Sequence, residues 1–449
     1  MKRLPLLFVF ITSFCFAQTA NETKLFTPGE QKQDLNFLFE KFESIHPSLY
    51  HYTPKAKIDE VRKTLEAELS EPMTRLEFSK KIIPVVTLLK DGHTSLSFPP
   101  EELTGYLKKG GKIFPLTVLI RGEKIFVTAN VSSDTSDFML AEILSINGQS
   151  SQEVLEKLRQ YMSAELDFYR DVRIQRAFGR MLWYCFDWGE EFRLQLSSNG
   201  KTFDKKLAGV TEEEFNKKRG NQRKTKPYSF SLKGNNIGVI DLRSMSEMER
   251  FDTFLDSIFT IIKEQKVATL VIDVRNNGGG NSRMGDMLFQ YISDKPYKQI
   301  DRMEAKNSTE TAKFNQGEIG TISRVDEIPL KKPKKSSNKF NGKTYLLTSN
   351  LTFSSANMLA IAFKCFGMGT IVGEETGGVY TAFGDVVSIK LPNTQLPAGC
   401  SFKKFIHPCD DGTVHGVKPD VLIAPSLEDI KNRIDPAMEY VLKHAAGNN

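Results

Sequence analysis

The apolar positions of this chain change their period along its length. From Gln31 to about Leu96 they recur at three- and four-residue spacing, as in "LNFLFEKFESIH" and "LEFSKKIIPVVTLLK". That spacing lays one apolar stripe along a helix. It predicts a small helical domain that ends at "KDGHTSLSF", where Asp91-Gly92 marks a helix stop and a turn. From about Gly111 to Leu207 the pattern shortens to strands. "FPLTVLIRGEKIFVTANV" reads as a hairpin turning at Arg121-Gly122-Glu123, and "AEILSINGQS" as a strand closed by an Asn147-Gly148 turn. "SQEVLEKLRQYM" follows as a helix.

From about Tyr228 strands and helices alternate, which predicts an α/β layered core. "NIGVIDLRS" is a strand and "FDTFLDSIFTIIKEQ" a helix. "ATLVIDVR" is a continuous apolar strand of the kind buried on both faces. Next come "NNGGGN", a helix from about Ser282, the strand "TYLLTSN", an apolar helix opened by Ser354-Ser355, and the strand "GTIVGE". "VVSIKLP" and "CSFKKFI" add later strands, and "LEDIKNRIDPAMEYVLKHA" a closing helix.

Composition narrows the class. With 449 residues, 40% hydrophobic and 26% charged, the chain is globular and long enough for several domains. A net charge of +6 is mild, and the Lys331–Lys339 run "KKPKKSSNK" reads as a solvated loop. No aromatic residues interleave with basic ones, so no nucleic-acid partner is expected. The first residues, "MKRLPLLFVFITSFCFAQT", combine a basic start, a short apolar run, and small residues at Cys15 and Ala17. This reads as a signal peptide over residues 1–17. No later run reaches the ~18–20 apolar residues of a membrane span. The expected product is an exported protein, periplasmic or extracellular, without an integral membrane segment.

Export permits disulfides. Cys400 and Cys409 flank a segment that a hairpin could close and are the expected pair, while Cys365, on the apolar helix, is expected to be a buried free thiol. There is no Cys-x-x-Cys or His-x-x-x-His spacing, so no metal site is expected.

Three elements carry candidate chemistry. Arg275-Asn276-Asn277-Gly278-Gly279-Gly280 follows a buried strand, and its bare backbone lets N–H groups approach a ligand oxygen. It reads as a tight turn or as an oxyanion hole; a phosphate loop would continue into Gly-Lys-Ser/Thr, which is missing. Ser354 and Ser355 are either ordinary helix caps or hold a nucleophile. Of the six histidines, His93 and His415 sit in polar loops, His46 and His51 read as helix-end or surface residues, and His444 lies in the last turns. A base needs spatial reach rather than sequence proximity.

Five stretches, "DGHTSLSF", "VIDVRNNGGGN", "TFSSANMLA", "GTIVGEETGG" and "HGVKPDV", occur in an order that resembles the C-terminal processing peptidases and their tricorn-core and interphotoreceptor retinoid-binding relatives. The resemblance implies a crotonase-like (Clp-like) protease core at 226–446, an N-terminal helical domain at 25–100, and a PDZ-like α+β domain at 108–212. The segment "EILSINGQS" separately resembles a PDZ domain, a module that binds peptides by strand addition.

Carried over by position, the resemblance makes Ser354 the nucleophile, with the Ser355 N–H and a glycine of Gly278-Gly279 as the oxyanion hole. Asn357 stands where the family has glutamate. The processing branch's lysine and glutamine fall on Val379 and Phe383, so no Ser-Lys dyad exists here. The tricorn-like branch takes its base from the N-terminal domain, which corresponds to His93. That branch's acid falls near Asp410 or Asp411, leaving the third member unassigned. The implied activity is an exported serine endopeptidase, needing no cofactor, that acts on peptides or unfolded proteins. The alternative is a non-catalytic peptide- or lipophile-binding protein on the same fold; a thioester enzyme of the crotonase type is disfavoured, because coenzyme A is intracellular.

Overall fold

The computed structural model describes residues 24–218, 226–234, 236–333 and 338–446. The expected signal peptide and the centre of the Lys-rich run lie outside these residues.

The apolar stripe of the N-terminal segment becomes the helix Pro28–Ile45, whose Leu35, Leu38, Phe39, Phe42 and Ile45 are buried. Thr27 and Glu30 close a capping box at its start, and Thr74 and Glu77 do the same for the helix Arg75–Thr87. Helix Lys55–Glu68 lies between them in sequence. The chain then turns through Lys90, whose φ is 56°. A two-residue strand, Ser95–Leu96, follows.

The middle segment folds around an antiparallel sheet in the order Leu116–Arg121, Lys124–Asn130, Glu142–Ile146, Glu191–Ser198, Lys201–Ala208. The first pair is the expected hairpin. The Asn147-Gly148 turn is also present, with φ of 50° and 83°, a conformation that Asn-Gly adopts readily. Two helices, Ser151–Arg159 and Asp167–Phe186, cover the sheet. Helix, sheet and a later hairpin share one apolar core: Leu38 and Phe42, Ile143 and Leu155, and Leu396 and Phe402 belong to the same buried cluster.

The last segment holds a six-stranded sheet ordered Tyr228–Lys233, Ile237–Leu242, Thr269–Asp273, Lys343–Thr348, Thr370–Gly373, Val421–Leu422. Only the first pairing in this sheet is antiparallel. Along Thr269–Asp273, Leu270 and Ile272 face the helices Met248–Glu264, Arg283–Ile292 and Ser355–Cys365, while Val271 faces the helix Pro436–Ala446. The continuous apolar run is thus explained by helices on both faces.

"VVSIKLP" and "CSFKKFI" do not extend this sheet. They form the hairpin Thr381–Lys390/Pro397–Ile406, which pairs with Arg302–Lys306 in a separate sheet. Onto the same Pro397–Ile406 strand the N-terminal segment adds Ser95–Leu96, through Ala398↔Leu96 and Gly399↔Ser95.

Two expectations are corrected. The closing helix is two helices, Leu427–Asn432 and Pro436–Ala446. Arg433, at φ 56°, terminates the first, and Pro436 opens the second. The disulfide joins Cys365 to Cys409, and Cys400 is a buried free thiol. Cys400 points into the core from its strand, whereas Cys409 sits past the strand end, in a turn against the C-terminus of the Ser355–Cys365 helix. We expect peptide mapping under non-reducing conditions to show the crosslink surviving Cys400→Ser and vanishing in Cys409→Ser, with the latter less stable by about 2–4 kcal/mol in denaturant unfolding.

Candidate active site

His93 reaches its place through Asp91, a fully buried carboxylate. Asp91 Oδ1 accepts the His93 backbone N–H at 2.9 Å, and Oδ2 meets His46 Nε2 at 3.2 Å and the Ser401 hydroxyl at 2.8 Å. The Asp91 carbonyl accepts the Ser163 hydroxyl at 2.8 Å. One residue thus ties the first helix, the core hairpin and the middle segment to the histidine turn. Burial alone would raise the Asp91 carboxyl, but the hydrogen bond and charge of His46, with the charge of His93, outweigh it and hold the group well below the usual range.

Ser354 is held from the opposite side. After the strand Lys343–Thr348, Ser349 Oγ donates to the Arg275 carbonyl and Thr352 Oγ1 to that of Val274, clamping the serine turn to the end of Thr269–Asp273. Phe353 N–H donates to the Asn277 carbonyl at 3.1 Å. Ser354 then sits at φ 53° and ψ −128°, outside ordinary helical or extended space, and its side chain makes no capping bond. A serine that declines the cap is free for other work. Ser355 is the one tied down: its hydroxyl donates to the Gly280 carbonyl at 2.6 Å. Gly279, at φ 105°, cannot be replaced, since a Cβ there would fall 2.7 Å from Ser354 Cβ and 2.9 Å from Ser355 N.

These two supports bring His93 Nε2 and Ser354 Oγ to 3.1 Å. The imidazole stacks on Phe353 at 4.7 Å between ring centres, and Tyr169 stacks on Phe353 at 4.2 Å. Burial lowers the imidazole pKa below its ordinary value, with Asp91 pulling it up and Arg173 pushing it down, so the ring is neutral at neutral pH. The pair opens into a cleft of about 940 Å³ lined by Gly278, Met358, Val379, Phe383 and Lys403 among others. Gly278 faces this cleft, while the Gly279 N–H is already donated to Asn277 Oδ1 at 2.8 Å.

The structure does not bring Asp410 or Asp411 to His93. Asp410 Oδ2 accepts the Thr381 hydroxyl, and Asp411 engages Thr413 and His415. Instead the carboxylate beside the histidine turn is Glu165, which sequence reasoning missed because its surroundings, "MSAELD", carry no motif. One donor atom from each of Asp91, His93 and Glu165 lies within 4.8 Å of the others, an arrangement that could also hold a cation. Both Asp91 oxygens are occupied by protein donors, which suits proton handling better than metal ligation.

Asn357 fastens the serine helix to the "EETGGV" loop. Its amide donates to the Val379 carbonyl at 3.1 Å, and its side-chain carbonyl accepts the Thr376 hydroxyl at 2.6 Å. Val379 and Phe383 are buried apolar residues. Lys403, in the cleft lining, is paired with Asp385. Of the other histidines, His46 is buried in the Asp91 network and His407 is buried against the Gln299 carbonyl, its pKa lowered to about 4 by burial.

A neutral imidazole within reach of an uncapped serine is an arrangement that serine-type hydrolases use. Residues 236–423 match the model of peptidase family S41, and with the ordered motifs this match supports a serine-type peptidase. The matched stretch contains four of the five motifs; the histidine motif lies before it. Among solved structures, mature CPAF is 14% identical, with a TM-score of 0.66 over 92% of this chain and 95% of that one. The photosystem II D1 C-terminal processing protease is 18% identical with a TM-score of 0.45, covering 90% of this chain and 96% of its own. The tricorn protease is 16% identical with a TM-score of 0.41, over 93% of this chain and 36% of that one.

The Asp91 network gives a direct test. Asp91→Asn leaves His46 without its charged partner and should destabilise the fold by about 3 kcal/mol or more. The depressed folded pKa means this stabilisation is present above about pH 4, the ordinary carboxyl value, and is lost as pH falls further. The gap between the denaturant midpoints of wild type and variant should therefore be constant from pH 7 to about pH 4 and begin to narrow toward pH 3.

Proposed function

We propose that this protein is an exported endopeptidase that cleaves peptide bonds through an acyl-enzyme on Ser354, with His93 as general base and acid. The observation that carries this reading is the 3.1 Å contact between His93 Nε2 and an uncapped Ser354 Oγ at the floor of a cleft. His93 Nε2 takes the Ser354 hydroxyl proton as Oγ attacks the scissile carbonyl carbon. The oxyanion is held by the amides of Gly278 and Ser355, at the N-terminus of the Ser355–Cys365 helix. Gly279 serves as the spacer that lets the serine turn approach the loop. The imidazolium returns its proton to the leaving amine nitrogen, and water repeats the cycle to release the acyl group. No cofactor takes part in these steps.

Export is supported by the signal-like start of the sequence and by the Cys365–Cys409 disulfide, a bond that persists in oxidising compartments. The middle sheet, with its hairpin, Asn-Gly turn and flanking helices, supports a PDZ-like peptide-presenting role. No helix among the described residues is long and apolar enough to cross a membrane. A cleft with Met358, Val379 and Phe383 in its lining suits an extended, partly apolar peptide.

A fluorophosphonate should label Ser354 stoichiometrically. Ser354→Ala and His93→Ala should each reduce kcat on an unfolded protein substrate by on the order of 10⁵–10⁶-fold with unfolding midpoints near wild type. Turnover at wild-type rate by either variant refutes the mechanism.

A further inference from the structure

When Ser354 donates to His93 Nε2, the imidazole must carry its own proton on Nδ1. In this structure His93 Nδ1 is buried without a hydrogen-bond partner. A buried N–H left unpaired costs about 1–3 kcal/mol. One carboxylate oxygen close by is in the same condition: Glu165 Oε2 is buried and unpartnered, while Oε1 accepts the Gly92 N–H at 3.0 Å. A ring nitrogen of His93 and a carboxylate oxygen of Glu165 lie within 4.8 Å of each other. The neighbouring Asp91 oxygens are taken by His46, Ser401 and the His93 backbone.

His93 thus holds an unsatisfied donor and its neighbour Glu165 an unsatisfied acceptor, and a small rotation of Glu165 or one bridging water would join them. The surroundings are built to keep that carboxylate there. Gly92 has no Cβ because one would fall 2.8 Å from Glu165 Oε2 and 3.0 Å from Phe353. The loop bearing Glu165 is docked by Ser163 Oγ on the Asp91 carbonyl and by Arg173, whose Nη1 donates to the Ser163 carbonyl.

Resting on the Ser354–His93 reading, we propose that Glu165, supplied by residues 160–166 of the middle segment, is the positioning carboxylate of His93. It accepts the Nδ1–H, fixes the tautomer in which Nε2 is the base, and stabilises the imidazolium. It takes no proton itself: the serine proton passes to Nε2 and from there to the leaving amine.

The charge of Glu165 is set by its neighbours. Burial, then the charge of Asp91, push its pKa up to about 8, while the Gly92 N–H and Arg173 pull it down. Tyr52 and Tyr169 also face it, both neutral over the working range because burial raises them. His93 itself feels Asp91, Arg173 and Asp385. A carboxyl that ionises near pH 8 orients the histidine fully only on the alkaline side. The same raised value sets the stability sign: burying Glu165 carries no charge penalty below about pH 4, and wild type loses stability as pH rises toward 8.

The experiment compares wild type, Glu165→Gln and Glu165→Asp for fluorophosphonate labelling of Ser354, peptide turnover and denaturant unfolding across pH 5–9. Glutamine can still accept the Gly92 N–H but offers His93 an amide. The expected result is a fall in kcat of on the order of 10²–10⁴-fold in Glu165→Gln with KM little changed. The limb of wild-type activity rising through about pH 8 should disappear, and Glu165→Asp should recover part of the rate. Glu165→Gln should also become progressively more stable than wild type as pH rises toward 8. If wild type labels and Glu165→Gln labels at the same rate with the same pH profile, Glu165 only holds the loop and the proposal is overturned. If wild-type Ser354 does not label at all, the peptidase reading fails first. Should Glu165→Gln not fold, equal kcat and pH profile in Glu165→Asp and wild type, despite the shortened reach, overturns the proposal as well.

Discussion

The buried carboxylate of Asp91 is the constraint on which this molecule turns. A charged group without water must find its hydrogen bonds in the protein, and Asp91 finds them on three separate pieces of chain: the end of the first helix, the core hairpin and its own turn. Its carbonyl adds a fourth, the loop of the middle segment. Satisfying one residue therefore helps fix the relative placement of the elements that surround Ser354 and His93. The two-residue pairing of Ser95–Leu96 with Ala398–Gly399 would be too short to do this alone.

The electrostatics follow the same logic. Asp91 and Glu165 are neighbours, and two carboxylates in one dry site cannot both be charged cheaply. The one with more donors, Asp91, stays ionised, and the one with a free oxygen takes the raised pKa. The imidazole between them is kept neutral by burial. The donors and charges around Asp91 set its state, while burial sets those of Glu165 and His93.

Much of this is legible in the chain and some is not. The helix Pro28–Ile45 and the strand Thr269–Asp273 declare themselves through period and apolar run, because one or two faces of each are buried. The glycine loop stands out because its conformation demands glycine, and Ser354 and His93 stand out through the ordered motifs around them. Glu165 does not, since it lies in an ordinary polar loop and owes its importance to Gly92 lying under it. The cysteine pairing departs from expectation for a related reason. Closeness in sequence favours Cys400 with Cys409, but the pleat of the strand turns Cys400 into the core, leaving Cys409 to the helix end. Asp410 and Asp411 are plausible by position alone, and their turn directs them to Thr381, Thr413 and His415 instead.

The histidine and the serine that meet at 3.1 Å stand 261 residues apart in sequence. The strand that seats the histidine, Ser95–Leu96, pairs with residues that emerge from synthesis later still, at Ala398 and Gly399. During translation the chain therefore carries both reactive groups for a long interval without bringing them into register. Contacts of such range form late, after shorter loops have closed. A chain built this way cannot seat His93 beside Ser354 through this pairing before Ala398 and Gly399 exist.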